Sequence, residues 1–236
     1  MGTDDLFKRK KQAVTRNNDK KKVKMSRSML IVCEGEETEP NYFKSFPHRG
    51  VKILVEGTGK NTRTLLDEAI RLWVEKANDN EIYESLWVVM DRDSFPQEYY
   101  NECFQKYKSV EKKLNNKYRN QLNEGSRITI KIAYSNEAFE LWYLLHFDYW
   151  SRGTSRDEFE KLLTKRLKKK YKKNDPKIYD ILQELGEKTN DKQGQDFAIK
   201  NAKNLRKLAN RKDIYNSNPS TSVDLLVREL NTHLKK

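Results

Sequence analysis

The stretch SLWVVMDRDSF, residues 85–95, ends an apolar run with two aspartates, Asp91 and Asp93, one residue apart. An earlier run, SMLIVCEGEE, ends in Glu34 followed by Gly35, which lets the backbone turn sharply. If both runs are buried strands, three carboxylates arrive at strand ends, where open parallel sheets bind their ligands. Such groups repel one another and raise one another's pKa values unless a cation sits among them. Carboxylate oxygens suit a hard divalent ion, Mg²⁺ or Mn²⁺, which also binds phosphate oxygens and acidifies a bound water. An aspartate pair alone is weak evidence, because acids after strands also serve as turn residues and helix caps. Joined to Glu34-Gly35 at an earlier strand end, it makes Glu34, Asp91 and Asp93 the candidate catalytic and metal-binding residues.

Two further acids belong with them. Glu39 is open to two readings, a metal ligand or an acid of the first helical turn beside Pro40, favoured by the helix dipole. Glu140 lies among Phe139, Leu141, Trp142, Leu144 and Leu145, where a lone carboxylate would cost several kcal/mol. It therefore requires a cation, either a structural Arg or Lys or, as the favoured reading, a second metal. His146 on the same segment reads as a core histidine. With only His48, His146 and His233 in the chain, a histidine-rich metal site is disfavoured. Cys33 and Cys103 are too few for a disulfide framework. The string EGTGKNT, residues 56–62, imitates the tail of a phosphate-binding loop. It lacks the earlier glycine, with Leu54 there, and has Asn61 where the Mg²⁺-binding hydroxyl belongs, so it predicts no ATP site.

Charge says what meets these acids. The 236 residues carry +13 overall, and the charge is segregated. Residues 1–27 hold 10 Lys/Arg against 3 acids and residues 151–213 hold 19 against 10, whereas residues 28–150 hold 16 against 20. Basic flanks attract a polyanion, and an acidic centre accepts it only with a divalent ion between phosphate and carboxylate. The expected partner is nucleic acid: RNA (tRNA included) or DNA, with nothing in the sequence to choose between them. Residues 1–27 lack hydrophobic periodicity and are expected to form a mobile basic arm, a solubilising tail or a nucleic-acid tether in equal measure. The run LKKKYKK, residues 167–173, adds Lys168, Lys169 and Lys170 as weak substrate contacts. NPSTS, residues 218–222, offers Ser220 and Thr221 at a helix start, where hydroxyls and backbone N–H groups meet phosphate or simply cap the helix. Asn136 is the remaining weak candidate contact.

The elements that must position these residues follow from hydrophobic pattern. Residues 28–34, 51–56, 85–91 and 128–135 read as strands apolar on both faces, as in a parallel sheet covered by helices. TRTLLDEAIRLWVEKA puts Leu65, Leu66, Ala69, Ile70 and Trp73 on one helical face. Further helices are predicted after Pro40, over 98–122, along NEAFELWYLLHF, and near 155–170, 176–186, 194–209 and 222–235. The expected fold is α/β, a mostly parallel four-stranded sheet flanked by helices, with a C-terminal helical extension. The expected organisation is an arm over 1–27, a catalytic core over 28–150 and a basic helical extension over 151–236 packed on that core. No segment approaches the roughly 20 apolar residues of a membrane span and no signal sequence is evident, which predicts a cytoplasmic protein without membrane association.

Glu34-Gly35 after the first strand and the aspartate pair after the third resemble the TOPRIM domain of topoisomerases, primases and OLD-family nucleases. The strings LIVCEGEETEPNYF, DRDSF, SNEAFELWYLLHF and NPSTSVDLLVREL, in that order between residue 28 and about 233, resemble the RloB family of bacterial phage-resistance (abortive infection) proteins. The resemblance implies a TOPRIM-like nuclease using Mg²⁺ or Mn²⁺, with Glu34 as metal ligand or acid/base and Asp91 and Asp93 as ligands. It further implies a neighbouring ATPase as partner. Two features depart from the pattern: Glu137 stands where the family often has proline, and Glu39 follows Glu34 by five residues where OLD-type nucleases have four. From a different class comes a non-catalytic nucleic-acid-binding or partner-docking module with a vestigial acidic site. A third alternative is a small-molecule phosphotransferase. Oligomeric state and the number of metal ions are left open.

Overall fold

Four runs that are apolar in the sequence become the parallel strands of one sheet. The computed structural model describes residues 28–47, 51–59, 62–92, 96–189, 192–210 and 213–234; the arm expected over 1–27 and Asp93 lie outside them. Strands β1 (Ser28–Cys33), β2 (Lys52–Gly57), β3 (Ser85–Asp91) and β4 (Thr129–Asn136) run parallel. A fifth, β5 (Ser220–Thr221), pairs antiparallel with β4, and the order is β2-β1-β3-β4-β5. The sheet thus has five strands where the sequence predicts four. Two residues are too few to show an alternation, so β5 is invisible to pattern reading.

β1 and β3 are buried along their whole length, as central strands covered on both faces must be. Their side chains alternate between two cores. Met29, Ile31, Cys33, Trp87 and Val89 enter one, and Leu30, Val32, Leu86, Val88 and Met90 the other. The second core is closed by α2 (Thr62–Asn78) through Leu65, Leu66, Ala69 and Trp73, and by α3 (Gln97–Lys117) through Tyr100, Cys103 and Leu114. The first is closed by α1 (Thr38–Lys44), α4 (Glu140–Leu144), α5 (Arg156–Leu167), α6 (Ile178–Thr189), α7 (Gln195–Leu208) and α8 (Val223–Leu234). Residues beyond 150 therefore build much of one face, with Phe159, Leu163, Leu182, Ala202 and Leu226 packed in the same core as Ile31.

Two helices are shorter than their patterns predict. The apolar run around Trp142 is α-helical only over Glu140–Leu144, because Leu141 and Trp142 at one end and His146 and Phe147 at the other donate to carbonyls three residues back. α3 stops at Lys117, and Arg119–Gln121 forms a separate 3₁₀ turn. No helix among the described residues is long and apolar enough to cross a membrane.

The strand order places the chain's reversal between β1 and β3: from β1 the chain goes out to β2 on one side, then returns to β3 on the other. The crevice beyond that pair is where a doubly wound sheet binds ligands.

The β5 end of the sheet is held by one buried ion pair. Asp224, fully buried in the first turn of α8, is gripped by the Arg206 guanidinium of α7, with Nη2 2.9 Å from Oδ2 and Nη1 on Oδ1, while Nη1 also donates to the Thr221 carbonyl at 2.8 Å. Arg228 also approaches Asp224, with Nε 3.6 Å from Oδ2, so Asp224 answers two arginines and removing it leaves the part-buried Arg206 charge uncompensated. Asp224→Ala is expected to cost about 3–5 kcal/mol in urea unfolding, whereas Glu184→Ala, which breaks the exposed pair with Lys188, should leave the midpoint unchanged.

Candidate active site

Glu34 is held at the end of β1 by its own backbone, which continues the sheet by donating to the Val89 carbonyl at 3.0 Å. Its carboxylate turns across to β3, where Oε2 accepts the Asp91 N–H at 3.1 Å. The two candidate residues, 57 positions apart in the chain, therefore meet directly at the reversal between β1 and β3. Gly35 leaves room for the Glu39 carboxylate: a Cβ there would lie 2.3 Å from Oε2 of Glu39, so a larger residue would push that side chain away from the backbone. Gly57, at the end of β2, is more firmly constrained, since a Cβ would come within 2.6 Å of the Gly35 carbonyl oxygen, a backbone atom that cannot swing aside.

Asp91 is the last residue of β3, paired in register with Ser135 of β4, and is almost fully buried. Its Oδ2 accepts from Nη2 of Arg156 at 3.1 Å. Glu140, buried in α4, accepts from the Tyr171 hydroxyl at 3.3 Å through Oε1. Glu34, Glu39, Asp91 and Glu140 line one pocket of about 210 Å³, together with Arg156 and Lys173.

The electrostatics of that pocket show in Glu39. Burial pushes its carboxyl up to about 7, with the neighbouring Glu140 charge adding to the rise, while backbone N–H groups of Glu39 and Gly35 and the Arg156 charge pull it down. The cavity holds two more carboxyl groups than cations, and all its acidic donors are hard oxygens, which suits Mg²⁺ or Mn²⁺ by donor chemistry. Among the described residues no group of three or more acidic, histidine or cysteine side chains is placed so that it could hold a metal ion as it stands.

The other candidates sit elsewhere. Ser220 and Thr221 are fully buried in β5, with the Ser220 hydroxyl 3.0 Å from that of Tyr134 and the Thr221 hydroxyl donating to the Tyr134 carbonyl at 2.9 Å. They join strands and do not line the pocket. Asn136 is buried too, its amide donating to the carbonyls of Ile214 and Tyr215 at 3.1 and 2.7 Å; its peptide bond to Glu137 is cis. Lys168, Lys169 and Lys170 are exposed, and Lys169 pairs with Asp175 at 2.9 Å. From the same basic run it is Lys173 that lines the pocket, while Tyr171 backs it through its bond to Glu140. His146 is fully buried, its Nδ1 2.9 Å from the Trp142 carbonyl, and burial lowers its pKa to about 4, as a core histidine requires.

Sequence reasoning missed Arg156, Tyr171 and Lys173. The charge run pointed to the neighbourhood of the last two, but one arginine at a helix start, among 48 basic residues, carries no signal of its own.

The raised Glu39 carboxyl makes folding pH-dependent with a definite sign. Its folded pKa of about 7 exceeds the ordinary 4.5, so the stability it contributes is full below 4.5 and is lost as pH rises through 7. In EDTA, the wild type should lose on the order of 2–3 kcal/mol more than Glu39→Gln between pH 4.5 and 8 in urea unfolding. Parallel pH profiles for the two proteins would contradict this origin of the shift.

A family model described as RloB-like protein matches residues 29–230, a span that runs from β1 into α8 and contains every residue of the pocket. No curated protein and no solved structure matches the chain. The acids that line the pocket beyond β1 and β3 thus lie inside a matched span covering most of the sequence, and the chain belongs to the RloB-like protein family.

Proposed function

We propose that this protein is a TOPRIM-like, divalent-metal-dependent nuclease that hydrolyses phosphodiester bonds of nucleic acid. The observation that carries the reading is the direct meeting of Glu34 and Asp91 at the reversal between β1 and β3, with Glu39 and Glu140 in the same pocket, inside a chain of charge +13. Glu34, Asp91, Glu39 and Glu140 are the described residues that would hold Mg²⁺ or Mn²⁺, with Asp93 as the adjoining candidate. When bound, the ion supplies neutralisation of phosphate charge and acidification of a water.

The chain's own groups have distinct tasks. The Asp91 N–H fixes the Glu34 carboxylate, so that one face of it is oriented before any ligand arrives. Glu39, with a pKa near neutrality in the metal-free pocket, can release its proton as a cation enters and so become available as a ligand. Arg156 and Lys173 set positive charge on the rim, where a phosphate backbone would approach. The family resemblance supports a cytoplasmic role in anti-phage defence, as a toxic effector working with an ATPase partner.

A second reading, a nucleic-acid-binding or docking module with a vestigial site, draws on the Arg156–Asp91 pair, which already compensates Asp91 without a metal. Cleavage separates the two. Full-length protein should cut at least one of tRNA, other RNA or DNA in Mg²⁺ or Mn²⁺ and not in EDTA, and Asp91→Ala or Glu34→Gln should each lower the rate at least about a hundredfold. Salt-sensitive binding without metal-dependent cleavage on any of these substrates would replace the nuclease reading by the second one.

A further inference from the structure

Two of the arginine–aspartate pairs among the described residues are built differently. Arg206 holds Asp224 with both terminal nitrogens in a closed setting, its side chain 20% exposed, and is tied down further by the Thr221 carbonyl. Arg156 approaches Asp91 from the first residue of α5, lines the open pocket, and leaves 35% of its side chain exposed. The first pair is part of the scaffold. The second stands where a metal-binding carboxylate would meet its ion.

A guanidinium and a divalent ion at Asp91 draw on the same negative charge. Four carboxyl groups line this pocket against two cations, and of those two it is Arg156 that is bonded to a pocket carboxylate, since Lys173 lies 3.8 Å from Glu160 outside it. Without a cation, gathering these acids is costly, so in the metal-free protein Arg156 lowers the repulsion. The same contact must then oppose metal entry, by linkage: whatever stabilises the metal-free form of Asp91 weakens the ion's apparent affinity. The part-exposed Arg156 side chain has solvent to retreat into, whereas the Arg206 side chain is more enclosed.

We propose that Arg156 is a built-in counter-cation, held on Asp91 until a divalent ion displaces it, and that it thereby sets the metal concentration at which the site loads. This rests on the metal-site reading of the pocket. Arg156 acts on the ion through Asp91 and is a positioning residue.

Mn²⁺ binding to the full-length protein, followed by the electron paramagnetic resonance of free Mn²⁺, tests it without any activity readout. Arg156→Met should bind Mn²⁺ about tenfold tighter than wild type, ~1.4 kcal/mol, while Arg156→Lys, which keeps the charge, should stay within about threefold. If wild type binds Mn²⁺, Asp91→Ala abolishes that binding, and Arg156→Met binds no tighter, the counter-cation role is wrong while the metal site stands. If neither wild type nor Arg156→Met binds Mn²⁺, both fall. Should Arg156→Met fail to fold, arginine-labelled wild type decides the matter instead: the Arg156 Nε–H resonance should shift on Mg²⁺ saturation, and an unmoved resonance at saturation overturns the proposal.

Discussion

Bringing four carboxyl groups to one rim of a sheet is the constraint around which this structure is arranged. Each is handled differently. Glu34 is anchored by a backbone N–H, Asp91 by a guanidinium and Glu140 by a tyrosine hydroxyl, while Glu39, held by backbone N–H groups, also has its pKa raised by burial to about 7. A structural core gains nothing from such a gathering, because each buried acid costs desolvation and each adds to its neighbours' repulsion.

The scaffold serves that site by dividing labour between its halves. The parallel strands aim Glu34 and Asp91 into one crevice, and glycines at 35 and 57 let the adjoining turns close on each other. The later helices complete one hydrophobic face and carry in Arg156, Tyr171 and Lys173. The acidic centre and the basic flank, separate in the sequence, share one pocket in the fold. Asp224 and Arg206 fasten the far edge where α7, β5 and α8 meet.

Much of the framework is legible from pattern. Strands that are apolar on both faces, such as SMLIVC and SLWVVMD, can be satisfied only inside a covered parallel sheet, and their ends fall close to where the pattern stops. The helix around Trp73 is equally plain from its spacing. The need of Glu140 for a partner is also readable, because its neighbours are apolar whatever the fold. That partner includes a tyrosine hydroxyl, where the sequence predicts a metal or a basic side chain. Ser220 and Thr221 show an ambiguity of sequence: a hydroxyl at a helix start looks the same whether it faces a phosphate or closes a two-residue strand.

What the sequence determined by itself, then, is the inventory: which runs must be buried, which acids end them, and where positive charge accumulates. These follow from local composition and period, which act over a few residues. Only the tertiary structure decided that β1 and β3 are neighbours, that Glu39 lies over Gly35, and that Arg156 faces Asp91 across 65 positions. Strand order and long-range ion pairs depend on how the apolar faces of distant segments cover one another, a property of the packed whole that no short window of sequence contains.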